Sequence, residues 1–440
     1  MATLARSDVD APDSAPALGS SLLPLLLLGL LVASGFMAMQ SFGIMAESAK
    51  AELGLSDQAL ALIQGLGAAV PLVLFSIPIG ILVDRTHRVR LLIALALCWT
   101  AGSFLTALAP NAWVLFVARM MTAIGTTGAL TAALSLTADL CRPEQRGRAM
   151  LINTVGKNLG VAAGFAVAGW LLGLFATAGA PRWFGDISAW RSAQWTLGIV
   201  SIVLLLPLLL LREPARREVE SSVTAPFRVV MTEVWERRAF LIPLFVGQTA
   251  VVMADAAAGI WASPVLERHY GLAPADFGGW LGGLVLIGGF VGAIAGGFLA
   301  DWGHKSGRRG GLLIGALGCA VIGIPASLFP LMPSVPAFGA AIFVLLLMGT
   351  ITGLIMSVAL TVLLPNELRG LTIGAFIAVA GLIGFGIAPS LVTIASTLLG
   401  GEHMLREALA MVGVAVSIVS VGGFWLAMRR APLSIHDHAE

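Results

Sequence analysis

Charge is what this 440-residue sequence has least of. Asp, Glu, Lys and Arg make up 11% of it, against about a quarter of an average soluble domain. Lys and Arg number 26 and Asp and Glu 24, a net charge of +2, and no basic arm or helix stands out to hold a nucleic acid. Cysteine is nearly as scarce. Cys98, Cys141 and Cys319 lie too far apart for a disulfide framework or a zinc site, and read as packing residues. No Walker sequence, metal-ligand cluster or nucleophile arrangement is present, so neither an enzyme nor a bound cofactor is expected. What fills the sequence is apolar: 58% hydrophobic residues and 52 glycines besides. A soluble globule could not cover that composition with polar surface, and a disordered chain needs the opposite one. The composition is that of a membrane protein crossing the bilayer many times.

A bilayer core about 30 Å thick takes roughly 20 helical residues per crossing. Apolar runs of that size lie near 21–44, 58–82, 90–109, 112–138, 149–174 and 193–211, and again near 239–264, 276–300, 311–331, 335–363, 371–397 and 404–428. Residues 1–20 are polar and read as a disordered tail. The apolar run after them is too long for a signal-peptide core, so no cleavage is expected. With both ends placed inside, nineteen Lys and Arg fall in cytoplasmic segments and five in outer ones, with Arg119 and Lys157 left within spans. By the positive-inside rule both termini are expected in the cytoplasm, and the chain in the inner membrane.

The second span closes on Gly80-Ile-Leu-Val-Asp84-Arg85-Thr-His-Arg88 and the eighth on Gly297-Phe-Leu-Ala-Asp301-Trp-Gly-His-Lys305, with Arg308 following. Asp84 and Asp301 are 217 positions apart, as are Gly54 and Gly271; a Pro143/Pro365 pair recurs at nearly the same offset. Ordered matches at one offset indicate a duplicated unit. The expected layout is a tail (1–20), a six-helix bundle (21–211), a linker (212–238), a second six-helix bundle (239–430) and a tail (431–440). The fold class is all-α membrane protein, twelve transmembrane helices in two pseudo-symmetric bundles.

The duplicated halves, the Gly-x-x-x-Asp-Arg loop after span 2 and Arg119-x5-Gly125-x2-Gly128 in span 4 resemble the major facilitator superfamily of secondary transporters over almost the whole chain. Trp99-Thr-Ala-Gly-Ser, Ser135-Leu-Thr-Ala-Asp139 and Arg146-Gly-Arg-Ala149 are similar to its bacterial spinster-like lipid transporters. That group carries an acid in span 1, where Ala38 stands here, and another near the Gly-x-Gly of span 4, where Thr126 stands. Drug antiporters of the superfamily carry Gly-Pro in span 5, where this chain reads Gly164-Phe165. The resemblance implies two bundles around a midplane cavity, with access alternating by rocking.

Charge within the hydrocarbon region costs at least about 2.5–3.5 kcal/mol per residue and marks function by default. Three residues qualify: Arg119, Lys157 and Asp255. Lys157 lies nine residues past Arg148, too deep for easy snorkelling, and reads as an anchor for an anion or as one half of a structural pair. Arg119 shares a face with Thr122 and Thr126, an arrangement suited to clamping a carboxylate or phosphate; the alternative is an interhelical ion pair. Asp255 shares a face with Gln248 and aligns by the repeat with position 38, as though the span 1 acid had moved to the symmetry-related helix. It reads as the group that takes and releases a proton, or else as a fixed counter-ion to Lys157 or Arg119. Gln40, Gln64 and the stripe Thr350, Ser357, Thr361 are further candidates for the cavity wall. Glu47 reads as solvated, and Trp113, Trp170, Trp190, Trp195 and Trp261 as interface anchors.

In the resembled family the loop charges lock the cytoplasmic ends of the bundles together in the outward-open state. The resemblance assigns that role to Gly80, Asp84, Arg85 and Arg88 with Asp301 and Arg308, and Asp139 and Arg146 are expected to join them. The expected function is secondary active transport, proton-coupled, of an organic anion or an anionic amphipathic small molecule. The alternatives are an exporter of lipid-like or hydrophobic compounds, and a non-transporting sensor on the same fold. Expected partners are the small-molecule substrate, protons and the lipid bilayer, with the chain working as a monomer.

Overall fold

The computed structural model describes residues 21–142, 145–177, 183–214, 216, 235–364 and 366–432, with side chains for all but 366–371. The tail 1–20, most of the linker 212–238 and most of the tail 431–440 fall outside these. Within a bilayer every backbone N–H and C=O must be satisfied inside the protein, which leaves helices as the solution for long apolar runs. Twelve are present among the described residues: α1 (Leu22–Leu53), α2 (Asp57–Arg85), α3 (Arg88–Leu108), α4 (Ala112–Asp139), α5 (Arg146–Ala176), α6 (Ala189–Leu210), α7 (Arg238–Tyr270), α8 (Pro274–Lys305), α9 (Gly311–Leu331), α10 (Val335–Leu363), α11 (Thr372–Leu399) and α12 (Glu402–Arg430). Every expected span is matched. With an even number of crossings both chain ends lie on one side, the terminus side; the other is the far side.

The helix ends differ from the hydropathy limits most at α1 and α7, which run past their apolar stretches to Leu53 and Tyr270. Each stops at a glycine in the left-handed region, Gly54 at φ 63° and Gly271 at φ 67°. A glycine takes that conformation without a Cβ clash, and its N–H returns to a carbonyl of the last turn. These are the repeat-related glycines, so the duplication reproduces a helix stop as well as a loop motif.

Close helix approach relies on small residues, since lipid supplies no hydrophobic force between helices. A Cβ on Gly156 or Gly160 of α5 would run into the carbonyls of Gly29 or Ala33 on α1. On the other side of α5, Gly278 of α8 packs against the Phe165 carbonyl, where an added Cβ would lie 2.6 Å from the oxygen. Helix α5 is thus held between α1 of its own half and α8 of the other. A second inter-half seam joins α2 and α11. Each is interrupted by a π-helical turn, Leu62–Leu66 and Leu382–Ile387, and the two turns meet where Gly65 faces the Phe385 carbonyl.

On the far side one continuous apolar core runs through both halves, from Phe42, Leu115 and Trp190 to Trp261, Phe277 and Phe338. On the terminus side there are two separate cores, one around Leu28, Trp99 and Leu136 and one around Phe240, Ile355 and Phe424. The halves are closed together at the far side and parted at the terminus side.

Two of the five tryptophans expected at the membrane interface are core residues instead. Trp190 is 1% exposed and donates to Glu52 at 2.6 Å, and Trp261 is 0% exposed and donates to the Pro389 carbonyl at 3.2 Å. Position near a span end looks the same in sequence whether the indole faces lipid or a partner helix. Trp113 and Trp170 are exposed, and Trp195 stacks on Phe184 and packs at a tilt against Phe104. The three cysteines are free.

Candidate functional site: a cavity between the halves

The parted halves enclose a cavity of about 420 Å³ midway along the helices, walled by residues of α1, α2, α4, α5, α7, α8, α10 and α11. That is within the range of small-molecule sites, about 300–1,000 Å³. Its polar side chains are Arg119, Asp255, Gln40 and Gln64, set among apolar residues such as Val161, Phe165, Leu281, Ile342 and Phe385.

Arg119 is held about two turns into α4, whose start is fixed by Asn111: its side-chain oxygen accepts from the N–H groups of Trp113 and Val114, both at 3.1 Å. The residue is 7% exposed. Nη2 donates to the Met39 carbonyl at 2.5 Å and the group lies 5.2 Å from the Phe42 ring centroid. Nε and Nη1 are buried without a partner. Asp255 lies near the middle of α7, and its Oδ1 is likewise buried without a partner. No ion pair joins it to Arg119 or Lys157 among the described residues. A cation and an acid, contributed by different halves, line one cavity, and each holds buried polar atoms without a partner. Gln40 and Gln64 both approach Gly43, and Gln64 Nε2 has no partner.

Lys157 is not in the cavity wall. It lies one turn before Val161 on α5, closer to the terminus side, exposed, with its ammonium 5.6 Å from the Phe36 ring centroid. Ser357 is also exposed, three turns beyond Leu346 on α10, donating to the Gly353 carbonyl at 3.0 Å. Thr126 stands apart: its hydroxyl donates to the Gly35 carbonyl at 3.0 Å, and Thr122 donates to Ala118 at 3.0 Å. The clamp of one guanidinium and two hydroxyls is therefore not assembled, because both hydroxyls satisfy backbone carbonyls instead. Gln248 is buried between α7 and α10, outside the cavity wall, with Oε1 unpartnered.

The loop charges on the terminus side divide. Asp84, Arg85, Asp301 and Arg308 are exposed, and a Cβ on Gly80 would meet nothing within 4 Å. Arg88 is 3% exposed, pairs with Asp139 and binds Glu213 through Nε at 2.8 Å. Arg146 donates to the Ala138 carbonyl at 3.2 Å. Glu213 and Arg216, beyond α6, went unread in the sequence. Arg216 caps α2 by donating to the carbonyls of Val83 at 2.8 Å, Thr86 at 2.7 Å, and Asp84. Burial works against the Glu213 charge, but hydrogen bonds from Arg88 and the Val89 N–H, with the Arg88 charge itself, hold its carboxyl below the ordinary value. A lowered folded-state pKa contributes stability that is complete above the unfolded value, about 4.3, and is lost as pH falls through the folded one. Glu213→Gln is therefore expected to cost about 1–3 kcal/mol at pH 7. The gap in melting temperature from the parent protein should narrow as the pH drops below about 4; a gap that stays constant across that range refutes the assignment.

Reading Glu47 as solvated is overturned by the far side. Arg268 of α7 donates to both Glu47 oxygens, at 2.8 and 2.6 Å, and to both Asp57 oxygens, at 2.7 and 2.6 Å. Lys50 bridges Asp57 at 2.6 Å and Glu402 at 2.5 Å, and Glu402 accepts the Asp57 N–H at 2.7 Å. Thr393 of α11 donates to Gln58 of α2. This lock joins the halves across the closed end. The only sign of it in the sequence was opposite charge at the far ends of spans 1, 2, 7 and 12.

Residues 26–389 match the sequence profile of the Major Facilitator Superfamily. A stretch of 153 residues is 32% identical to the 3-(3-hydroxy-phenyl)propionate transporter of Escherichia coli K12, covering 34% of this chain and 34% of that protein. Among solved structures, a bacterial homolog of the human lysosomal transporter Spinster, inward-facing and unoccupied, superposes with a TM-score of 0.78 at 21% identity, covering 93% of this chain and 97% of that one. The same homolog in its inward-facing occupied form gives 0.76, also at 21% identity, over 94% and 98% of the two chains. The D-xylose-proton symporter gives 0.63 at 17% identity over 92% and 97%. At these identities the structures speak for the fold, and the profile match spans most of the sequence. The chain belongs to the Major Facilitator Superfamily, as a twelve-helix transporter and not an enzyme.

Proposed function

We propose that the protein is a proton-coupled secondary transporter of an organic anion, working by alternating access. The observation that carries this is the pairing in one cavity of Arg119 and Asp255, from opposite halves and not bonded to each other. A guanidinium with two unpartnered nitrogens, facing a low-dielectric cavity, suits a carboxylate better than any neutral group. An acid on the opposing half, with no counter-ion among the described residues, suits a proton that comes and goes with the transport cycle. The E. coli relative is named for an aryl-propionate, a carboxylate, and the D-xylose symporter for its proton. Lys157, exposed and without an ion pair among the described residues, adds a positive charge on the terminus side of the Val161–Phe165 stripe that lines the cavity. The Lys and Arg bias supports cytoplasmic termini in the inner membrane. On that reading the lock closes the outward face and the cavity opens inward. One chain supplies both halves, which favours a monomer.

The apolar walls favour a second reading, export of a lipid-like compound, and one experiment separates the two. In proteoliposomes with an imposed pH gradient, labelled 3-phenylpropionate is expected to accumulate above its equilibrium level. Asp255→Asn should abolish gradient-driven accumulation while leaving probe exchange across the membrane. Uptake blind to the gradient, or competed by tetraphenylphosphonium and not by carboxylates, overturns the anion reading.

A further inference from the structure

The carboxyl of Asp255 packs against α10 at Gly349. A methyl group on Gly349 would overlap Oδ2 and stand 2.7 Å from both Cγ and Oδ1. Helix α10 carries no titratable side chain anywhere along Val335–Leu363. Among the described residues the other charged group in the cavity wall is Arg119, and Asp255 forms no ion pair with it. The Gly349 face offers the carboxyl a Cα–H, a weak donor, because its N–H lies within the helix ladder. Such a seat has the shape of a carboxyl group and almost none of the hydrogen bonding that a carboxylate requires when it leaves water.

We propose that Gly349 is a positioning residue for proton coupling: the missing side chain forms the seat in which the Asp255 carboxyl docks on α10, and an ionised Asp255 leaves it for the cavity. The packing of α7 on α10 then differs between the two forms of the acid, which links proton binding to the arrangement of two cavity-lining helices. The inference rests on Asp255 being the coupling group. It adds the element through which that group acts.

The test uses the full chain in lipid nanodiscs and two readouts: the Asp255 carboxyl infrared band, isolated by difference against Asp255→Asn, and the pH profile of 3-phenylpropionate uptake. Gly349→Ala is expected to displace the midpoint of both by about one pH unit or more, because the environment of the carboxyl changes. Gly318→Ala, where an added methyl meets nothing within 4 Å, should leave both in place. A Gly349→Ala protein with lowered melting temperature but unmoved midpoints overturns the proposal, since that is what a purely packing glycine predicts. If Gly349→Ala fails to fold, Asp255→Glu, whose extra methylene does not fit the same seat, carries the same expectation. Gradient-driven uptake that survives in Asp255→Asn defeats the coupling reading itself, separately from the seat.

Discussion

Arg119→Ala is expected to weaken binding of a carboxylate probe such as 3-phenylpropionate by about 30-fold to several thousandfold. That corresponds to the ~2–5 kcal/mol lost when one partner of a buried, hydrogen-bonded charge pair is truncated. The size of the effect follows from where the group stands. Its Nη2 is committed to the Met39 carbonyl, while Nε and Nη1 are buried with no partner. Arg119→Lys should recover only part of the affinity, because an ammonium keeps the charge without the planar fork. Lys157→Ala should cost far less, since that cation is exposed and outside the cavity wall. Calorimetric titration of the purified variants checks all three. Wild-type affinity in Arg119→Ala would mean that the guanidinium only ties α4 to α1.

Arg268→Ala is expected to open the far side. The guanidinium serves Glu47 and Asp57 together, and its loss leaves two carboxylates facing each other with Lys50 as the remaining cation. Breaking a fully buried pair costs about 3–5 kcal/mol. Arg268 is 27% exposed, so about 1–3 kcal/mol is expected, enough to shift the two-state ratio by about 5- to 150-fold. A cysteine at Ala68 in the cavity wall, with the three native cysteines replaced, reports the shift. It should be silent to an impermeant maleimide on the far side in the parent protein and reactive in Arg268→Ala. Unchanged labelling would show that the merged apolar core alone keeps the far side shut.

The twelve spans were legible because hydropathy sums over some twenty residues, so no single position decides the outcome. The duplication was legible through Asp84 and Asp301, whose spacing carries over to Gly54 and Gly271 and their shared helix-stop geometry. Arg119 and Asp255 were legible as charges too deep to be solvated. The far-side lock was not, because it joins Asp57 to Arg268 and Lys50 to Glu402. Such pairings depend on which helix ends meet, and span limits alone do not say so. For the same reason the Thr126 hydroxyl was open to a substrate reading, since helical periodicity gives its face but not the Gly35 carbonyl waiting on α1. Gly349 carried no signal at all. Its importance lies in the acid pressed against it from another helix.

The apolar core that is one body on the far side and two on the terminus side has a consequence for the membrane around it. A molecule parted at one end takes up more area in that leaflet than in the other, so its cross-section tapers. In the alternating-access cycle proposed above, rocking the halves reverses the taper, and each turnover moves area from one leaflet to the other. Lateral pressure then acts on the access equilibrium in the way a ligand does, by favouring one of two states. Whatever compresses the leaflet on the terminus side works against the form described here and favours the one that opens at the opposite face.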